Sequence, residues 1–368
     1  MSRLRDVQWI DLLRYAAPVL AVAALGLAWG RVLPPVVAVI VALLLAGAVL
    51  SAVHHAEVIA HRVGEPFGSL VLAVAVTVIE VGLIVSMMVS AGGEASSLAR
   101  DTVFAAVMIT CNGIVGLSLL VATLRHRVAV FNAVGAGSAL ATVATLAAMC
   151  LVLPTFTTTT PGPAFSPPQL WFAATASLAL YALFVVTQTI RHRRAFLPVT
   201  EKGEVIDDLE EHEAQPSTRL TAGSLALLVV ALVAVVGLAK VESPAIEAAV
   251  RAAGLPQSVV GVVIALLVLL PETITAVRAA RRGRVQISLN LGFGSAMASI
   301  GLTIPTIAVA STLLSGTLLL GLGPMQIVLL ALTVAVATLT VVPGRATLLH
   351  AGVHLVVFAA FLFLAISP

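Results

Sequence analysis

Eleven apolar runs, each near the roughly 20 residues that a helix needs to cross a bilayer, divide this chain of 368 residues. They fall near 16–30, 33–53, 67–91, 101–124, 129–153, 169–190, 221–241, 256–279, 286–313, 322–342 and 345–366. In lipid every backbone polar group must be satisfied by the chain itself, which leaves helices and closed barrels. The runs are long, rich in Ala, Leu and Val, and lack the alternation of barrel strands. The expected fold is therefore an all-α polytopic membrane protein with about 11 transmembrane helices. Composition agrees. The chain is 60% hydrophobic and 10% charged, against about a quarter charged in soluble domains, so its main partner is the lipid bilayer.

Residues 1–30 imitate a signal peptide, with Arg3, Arg5 and Arg14 ahead of an apolar stretch. The many later runs favour a retained first helix. Cys111 and Cys150 both fall inside apolar runs and fit neither a disulfide framework nor a zinc site. With the N-terminus in the cytoplasm, only Arg31, Arg100, Lys240 and Arg251 of the 20 Lys and Arg lie outside. That asymmetry is the positive-inside signature of a bacterial inner, or plasma, membrane protein. It accounts for the sequence pI near 9.3 without any nucleic-acid partner.

One stretch breaks the apolar pattern. Glu201-Lys-Gly-Glu-Val-Ile-Asp-Asp-Leu-Glu-Glu-His-Glu213 places seven carboxylates in thirteen residues. It reads as a solvated cytoplasmic linker, or as a cytoplasmic helix that gathers cations. Five runs lie on either side of it, with the first run left over. An odd number of spans per repeat forces the second copy to run in the opposite direction, a common plan for secondary transporters. The expected organisation is an N-terminal helix (1–32), a first five-helix repeat (33–190), the acidic linker (191–220) and a second, inverted five-helix repeat (221–368). Gly64–Glu80 and Pro256–Glu272 have equal length, and each is an apolar stretch reaching a lone Glu. Further on, each half carries a run of small and polar residues, Thr110-Cys-Asn-Gly113 and Gly294-Ser-Ala-Met-Ala-Ser299.

The two lone glutamates carry the functional signal. No other charge occurs between Glu65 and Glu94, so Glu80 lies near the middle of its helix. Glu272 follows Pro271, which frees backbone carbonyls that are tolerated at depth only in a cavity or protein interior. An ionised carboxylate at that depth costs at least ~2.5 kcal/mol. The structural alternative is a Glu hydrogen-bonded to a neighbouring helix. Two such carboxylates in a dry site cannot both stay ionised without a counter-charge, which a divalent cation or two protons can supply. Competition for the same oxygens then makes exchange obligatory. Calcium takes about six to eight oxygens. Beyond Glu80 and Glu272 as the metal-binding carboxylates, Thr77, Asn112, Ser295, Ser299 and carbonyls near Pro271 are candidates for the remainder.

A second cluster, His54-His55-Ala-Glu57-Val-Ile-Ala-His61-Arg62-Val-Gly64-Glu65, precedes the first Glu helix. Glu57, His61 and Glu65 are four apart and share a helix face. They read as a polar helix end, or as a proton or cation pathway or gate. A metal-enzyme reading through His54, His55, Glu57 and His61 lacks the HExxH order. His192, His212, His350 and His354 carry no usable motif.

At these residues the sequence resembles the calcium/proton exchanger family of the cation/calcium exchanger (CaCA) superfamily, and in particular the bacterial ChaA-type antiporters. The stretch His54–Gly68 with Thr77-Val-Ile-Glu80 looks like the first repeat of that subgroup. Leu270-Pro-Glu-Thr-Ile-Thr-Ala-Val-Arg278, Gln286-Ile-Ser-Leu-Asn-Leu-Gly-Phe-Gly-Ser295 and Ile300-Gly-Leu-Thr-Ile-Pro305 look like its second. The resemblance implies an eleven-helix inverted-repeat exchanger in which Glu80 and Glu272 match the cation-binding, proton-accepting glutamates. Glu57 matches an acidic residue at the end of the second helix, and Glu247 is its candidate partner in the second half. Exchangers of the calcium branch have Asn three positions before each central Glu, whereas Thr77 and Leu269 stand here.

The leading expectation is a secondary transporter, not an enzyme, exchanging cytoplasmic Ca2+ for H+ without a cofactor. Na+ or K+ exchange for H+ is the nearest rival. An intramembrane metal enzyme and a passive channel are rivals from other classes, and a homo-oligomer is compatible with the sequence.

Overall fold

The computed structural model describes residues 2–31, 33–64, 67–90, 97–200, 204–206, 216–256, 258–312 and 317–368. Glu65 and most of the acidic stretch 201–213 lie outside them. The chain forms two compact units that cut across the sequence halves. The first comprises residues 1–92 and 214–260, the second residues 93–213 and 261–368.

The first unit packs α1 (Ser2–Ala28), α2 (Pro35–Val63) and α3 (Phe67–Ser90) around α7 (Thr218–Ala252). Pro35 opens α2, where a missing amide hydrogen costs nothing, and Gly64 closes it at φ +74°. Ser217 caps α7 by accepting from the Leu220 amide. Arg62 at the end of α2 donates to Thr218 at the start of α7 (3.3 Å), so these two helices run antiparallel. Gly82 of α3 lies so close to Val236 of α7 that a Cβ there would overlap it.

The second unit contains three long spans with a π-helical segment in each: α4 (Leu98–His126), α5 (Ala133–Phe156) and α6 (Pro167–Arg191). It continues with α8 (Ser258–Val268) from Gly261 onward, α9 (Leu270–Arg281), α10 (Val285–Ala310), α11 (Pro324–Val341) and α12 (Leu348–Ile366). Helix α10 is its axis, packed against α4, α5, α6 and α9. Helices α8 and α9 are bent by 51° at Leu269, next to Pro271, which has no amide hydrogen to give the carbonyl four residues earlier. A two-residue antiparallel pair, β1 (Ala129–Val130) with β2 (Arg345–Ala346), joins the α4–α5 and α11–α12 corners.

Among the described residues eight helices are long and apolar enough to cross a membrane, or nine if α8 and α9 form one span. The other two expected runs fall on α1 and α3, whose described apolar stretches Tyr15–Ala28 and Val74–Val85 are shorter than that.

Polar locks hold the second unit together. The Asn132 amide donates to Gln286 (2.7 Å), Gln286 donates to Asn290 (2.8 Å), and Asn290 donates to the Phe196 carbonyl (2.6 Å). This chain ties the starts of α5 and α10 to the short turn that follows α6. At the start of α4, Arg100 pairs with Asp101 (2.8 Å) and donates to the Gly321 carbonyl (3.2 Å), while Ser97 donates to the other Asp101 oxygen (2.9 Å). Asp101→Asn removes that charge from beneath a half-buried guanidinium. It is expected to lower stability by about 1–2 kcal/mol, read as a fall in the unfolding temperature of the purified protein.

Candidate cation and proton site

Each lone glutamate is described in its own unit. In the first, Glu80 is 5% exposed and Thr77, one turn earlier on the same face, is 7% exposed. Ile79, Leu83 and Ile84 are buried beside them, whereas Val74 and Val78 point outward. The helix thus turns its single charged residue inward, as an apolar surround demands.

In the second unit Glu272 is 7% exposed and sits in the first turn of α9, just past the bend. First-turn amides lack partners within their helix and favour negative charge. Thr273 is not a free ligand there, because its hydroxyl donates to the Leu269 carbonyl (2.7 Å). Ser288 ties α10 to α9 by donating to the Ala276 carbonyl (2.7 Å). Ser295 and Ser299 lie one turn apart on α10, the first half-buried and the second buried. Gly292 lets α10 approach the π-helical segment Ile109–Ile114 of α4, where a Cβ would meet the Thr110 carbonyl at 3.4 Å. The small-residue runs of the two sequence halves therefore lie on helices in contact.

Asn112, expected as a ligand, is engaged elsewhere. Its amide donates to Thr333 of α11 (2.9 Å), and its oxygen lies 3.2 Å from His354 Nδ1 of α12. His354 Nε2 in turn meets the Thr340 hydroxyl at 3.1 Å. All four side chains are at most 2% exposed. π-Helical turns widen a helix and leave carbonyls offset, and this network holds that segment on the side away from α10. His354 carried no sequence signal because its partners lie up to 242 residues away.

The histidine cluster of α2 divides between faces. His55 is buried, 3.3 Å from the Ser224 hydroxyl of α7, with its ring 5.5 Å from that of Tyr15. Glu57 and His61 are exposed. Among the described residues no three His, Cys, Asp or Glu side chains gather as a metal site. Glu247 lies near the end of α7, half-buried, accepting from Ser243 (3.1 Å) with Arg251 3.7 Å away. Five residues earlier Glu242, which sequence reasoning passed over, is 2% exposed.

Residues 33–190 and 223–367 match the family described as sodium/calcium exchanger protein. The chain belongs to that family. It is 34% identical over 349 residues to the sodium-potassium/proton antiporter ChaA of Escherichia coli, covering 94% of this chain and 93% of ChaA. It is 48% identical over 325 residues to y4hA of Sinorhizobium fredii, covering 88% and 87%. Among solved structures, the H+/Ca2+ exchanger CAX superposes with a TM-score of 0.71 at 18% identity, covering 97% of this chain and 88% of CAX. Native YfkE superposes at 0.64 and 16% identity, covering 97% and 99%. These two likenesses establish the exchanger fold. This member of the cation/calcium exchanger superfamily is thus a membrane transporter and not an enzyme.

Proposed function

We propose that this exchanger is a cation/proton antiporter in which Glu80 and Glu272 take up either the cation or protons, and that it exports the cation from the cytoplasm. One observation carries the reading. Each sequence half brings a lone glutamate to the end of an apolar stretch of equal length, Gly64–Glu80 and Pro256–Glu272, and each is more than nine-tenths buried. Burial makes an uncompensated carboxylate costly, so a site emptied of cation fills with protons, and the reverse. Thr77, Ser295 and Ser299 are the neutral oxygens proposed to complete the shell. Asn112 is proposed to act from its place between α11 and α12, and Glu57, His61, Glu65 and Glu247 to lie along the proton pathway or gate.

The same reading takes eleven spans in a bacterial inner membrane, as an N-terminal helix and two inverted five-helix repeats, with the N-terminus and acidic linker cytoplasmic. Calcium is the cation that two carboxylates match in charge. A second reading, sodium or potassium, is favoured by Leu269, a buried apolar side chain three residues before Glu272. The name of the 34% identical ChaA points the same way.

Proton release from acid-loaded everted vesicles, followed with a pH-sensitive dye, tests both. Release on adding calcium establishes calcium/proton exchange. Release with sodium or potassium alone keeps the mechanism and changes the cation. Verified, folded protein that releases no protons with any of the three refutes the antiport reading.

A further inference from the structure

Helix α7 carries a second deeply buried carboxylate in the unit of Glu80. Glu242 is 2% exposed, and its Oε1 has no hydrogen-bond partner among the described residues. A buried ionised carboxylate with an oxygen left unpartnered costs several kcal/mol, so something must compensate it, and the neighbouring cations do not. The Lys240 ammonium is held 5.3 Å over the Trp29 ring. Arg251 is directed to Glu247, 3.7 Å away, and the Ser243 hydroxyl also donates to Glu247.

Among the described residues the elements packed on α7 bring no other charge to this end. Arg62 meets Thr218 and His55 meets Ser224, with Tyr15 beside His55, so these groups lie toward the opposite end of the helix. Glu57, His61 and His54 share that end of α2 with them, and the other charges of α1 all precede Tyr15. Arg31, just beyond Trp29, is exposed. Glu80 is the sole charge of α3. Gly82 packs on Val236, and Glu242 follows Val236 by six residues, roughly 9 Å along the axis. Among the described residues one oxygen is freed nearby: Pro244 leaves the Lys240 carbonyl without its helical amide partner. A calcium site takes about six to eight oxygens, whereas one carboxylate suffices for a proton.

We propose that Glu242 is a second proton-binding carboxylate of the first unit, taking up a proton during exchange without holding the cation. The proposal rests on the proton-antiport reading above.

Two measurements on Glu242→Gln, an isosteric neutral variant, test it in reconstituted full-length protein. Infrared spectra near neutral pH read the carbonyl stretch of protonated carboxylic acids directly, whether or not transport occurs. Loss of one such band relative to wild type is expected, and an unchanged band overturns the proposal. Cation-driven proton release is expected to fall about tenfold or more, with calcium and sodium binding by calorimetry unchanged. Unchanged proton release, or lost cation binding in a monodisperse preparation, also overturns it. Glu242→Asp, which keeps the carboxyl, is expected to restore part of the release. Failure of wild-type vesicles to release protons would instead refute the antiport reading, independently of the infrared result.

Discussion

Glu80→Gln and Glu272→Gln are each expected to reduce cation-driven proton release at least about a hundredfold, to the background of empty vesicles. Glutamine keeps the volume and one carbonyl oxygen, so both variants should fold and purify as wild type. What they lose is the charge for which cation and proton compete. A neutral amide at 5–7% exposure neither attracts a cation through a low-dielectric surround nor accepts a proton. Dye-quench assays on vesicles with matched protein content check the result. If either variant retained more than about a tenth of wild-type exchange, that glutamate would not be an exchanging carboxylate and the mirrored pair would lose its role.

Gly135→Val is expected to destabilise the folded protein by about 3 kcal/mol or more, through a contact that no binding argument involves. Gly135 lies in the first turn of α5, where its amide and that of Val134 donate to Asn132. A Cβ there would run into the Ala195 carbonyl of the turn after α6. Backbone on both sides leaves nothing that can rotate away. The strain would break the seam in which Asn290 holds the neighbouring Phe196 carbonyl. Thermal unfolding in detergent checks the prediction. Gly137→Val is the control on the same helix, since a Cβ at Gly137 meets only Val341 at an ordinary 3.8 Å.

The motif residues of the second half show how far sequence reading reaches. Gln286-Ile-Ser-Leu-Asn290 and Ser295–Ser299 belong to one conspicuous stretch, yet its parts act differently. Gln286, Ser288 and Asn290 are consumed by contacts to Asn132, the Ala276 carbonyl and the Phe196 carbonyl. Ser295 and Ser299, half-buried and buried on the same helix, are the oxygens of that stretch proposed for the ion. Asn112 and His354 make the same point from the other side, one conspicuous in the sequence and the other silent, yet joined at 3.2 Å. The α2 cluster divides between faces for a related reason: His55 faces α7, whereas Glu57 and His61 are exposed.

By itself the sequence determined that this chain is a membrane-spanning helical protein, which stretches are helical, and where lone glutamates interrupt them. Those properties depend on local terms alone, because lipid obliges each segment to satisfy its own backbone and a single charged residue stands out in an apolar stretch of sequence. Tertiary structure alone decided that α7 joins α1, α2 and α3 in a unit that ignores the boundary between the sequence halves. It also decided which polar side chains are spent on structure, and that Glu242 rather than Glu247 is the buried carboxylate of α7. Partners for those groups come from helices as many as 242 residues apart. Helical periodicity shows which residues share a face, but which neighbour that face meets is settled only when the helices pack.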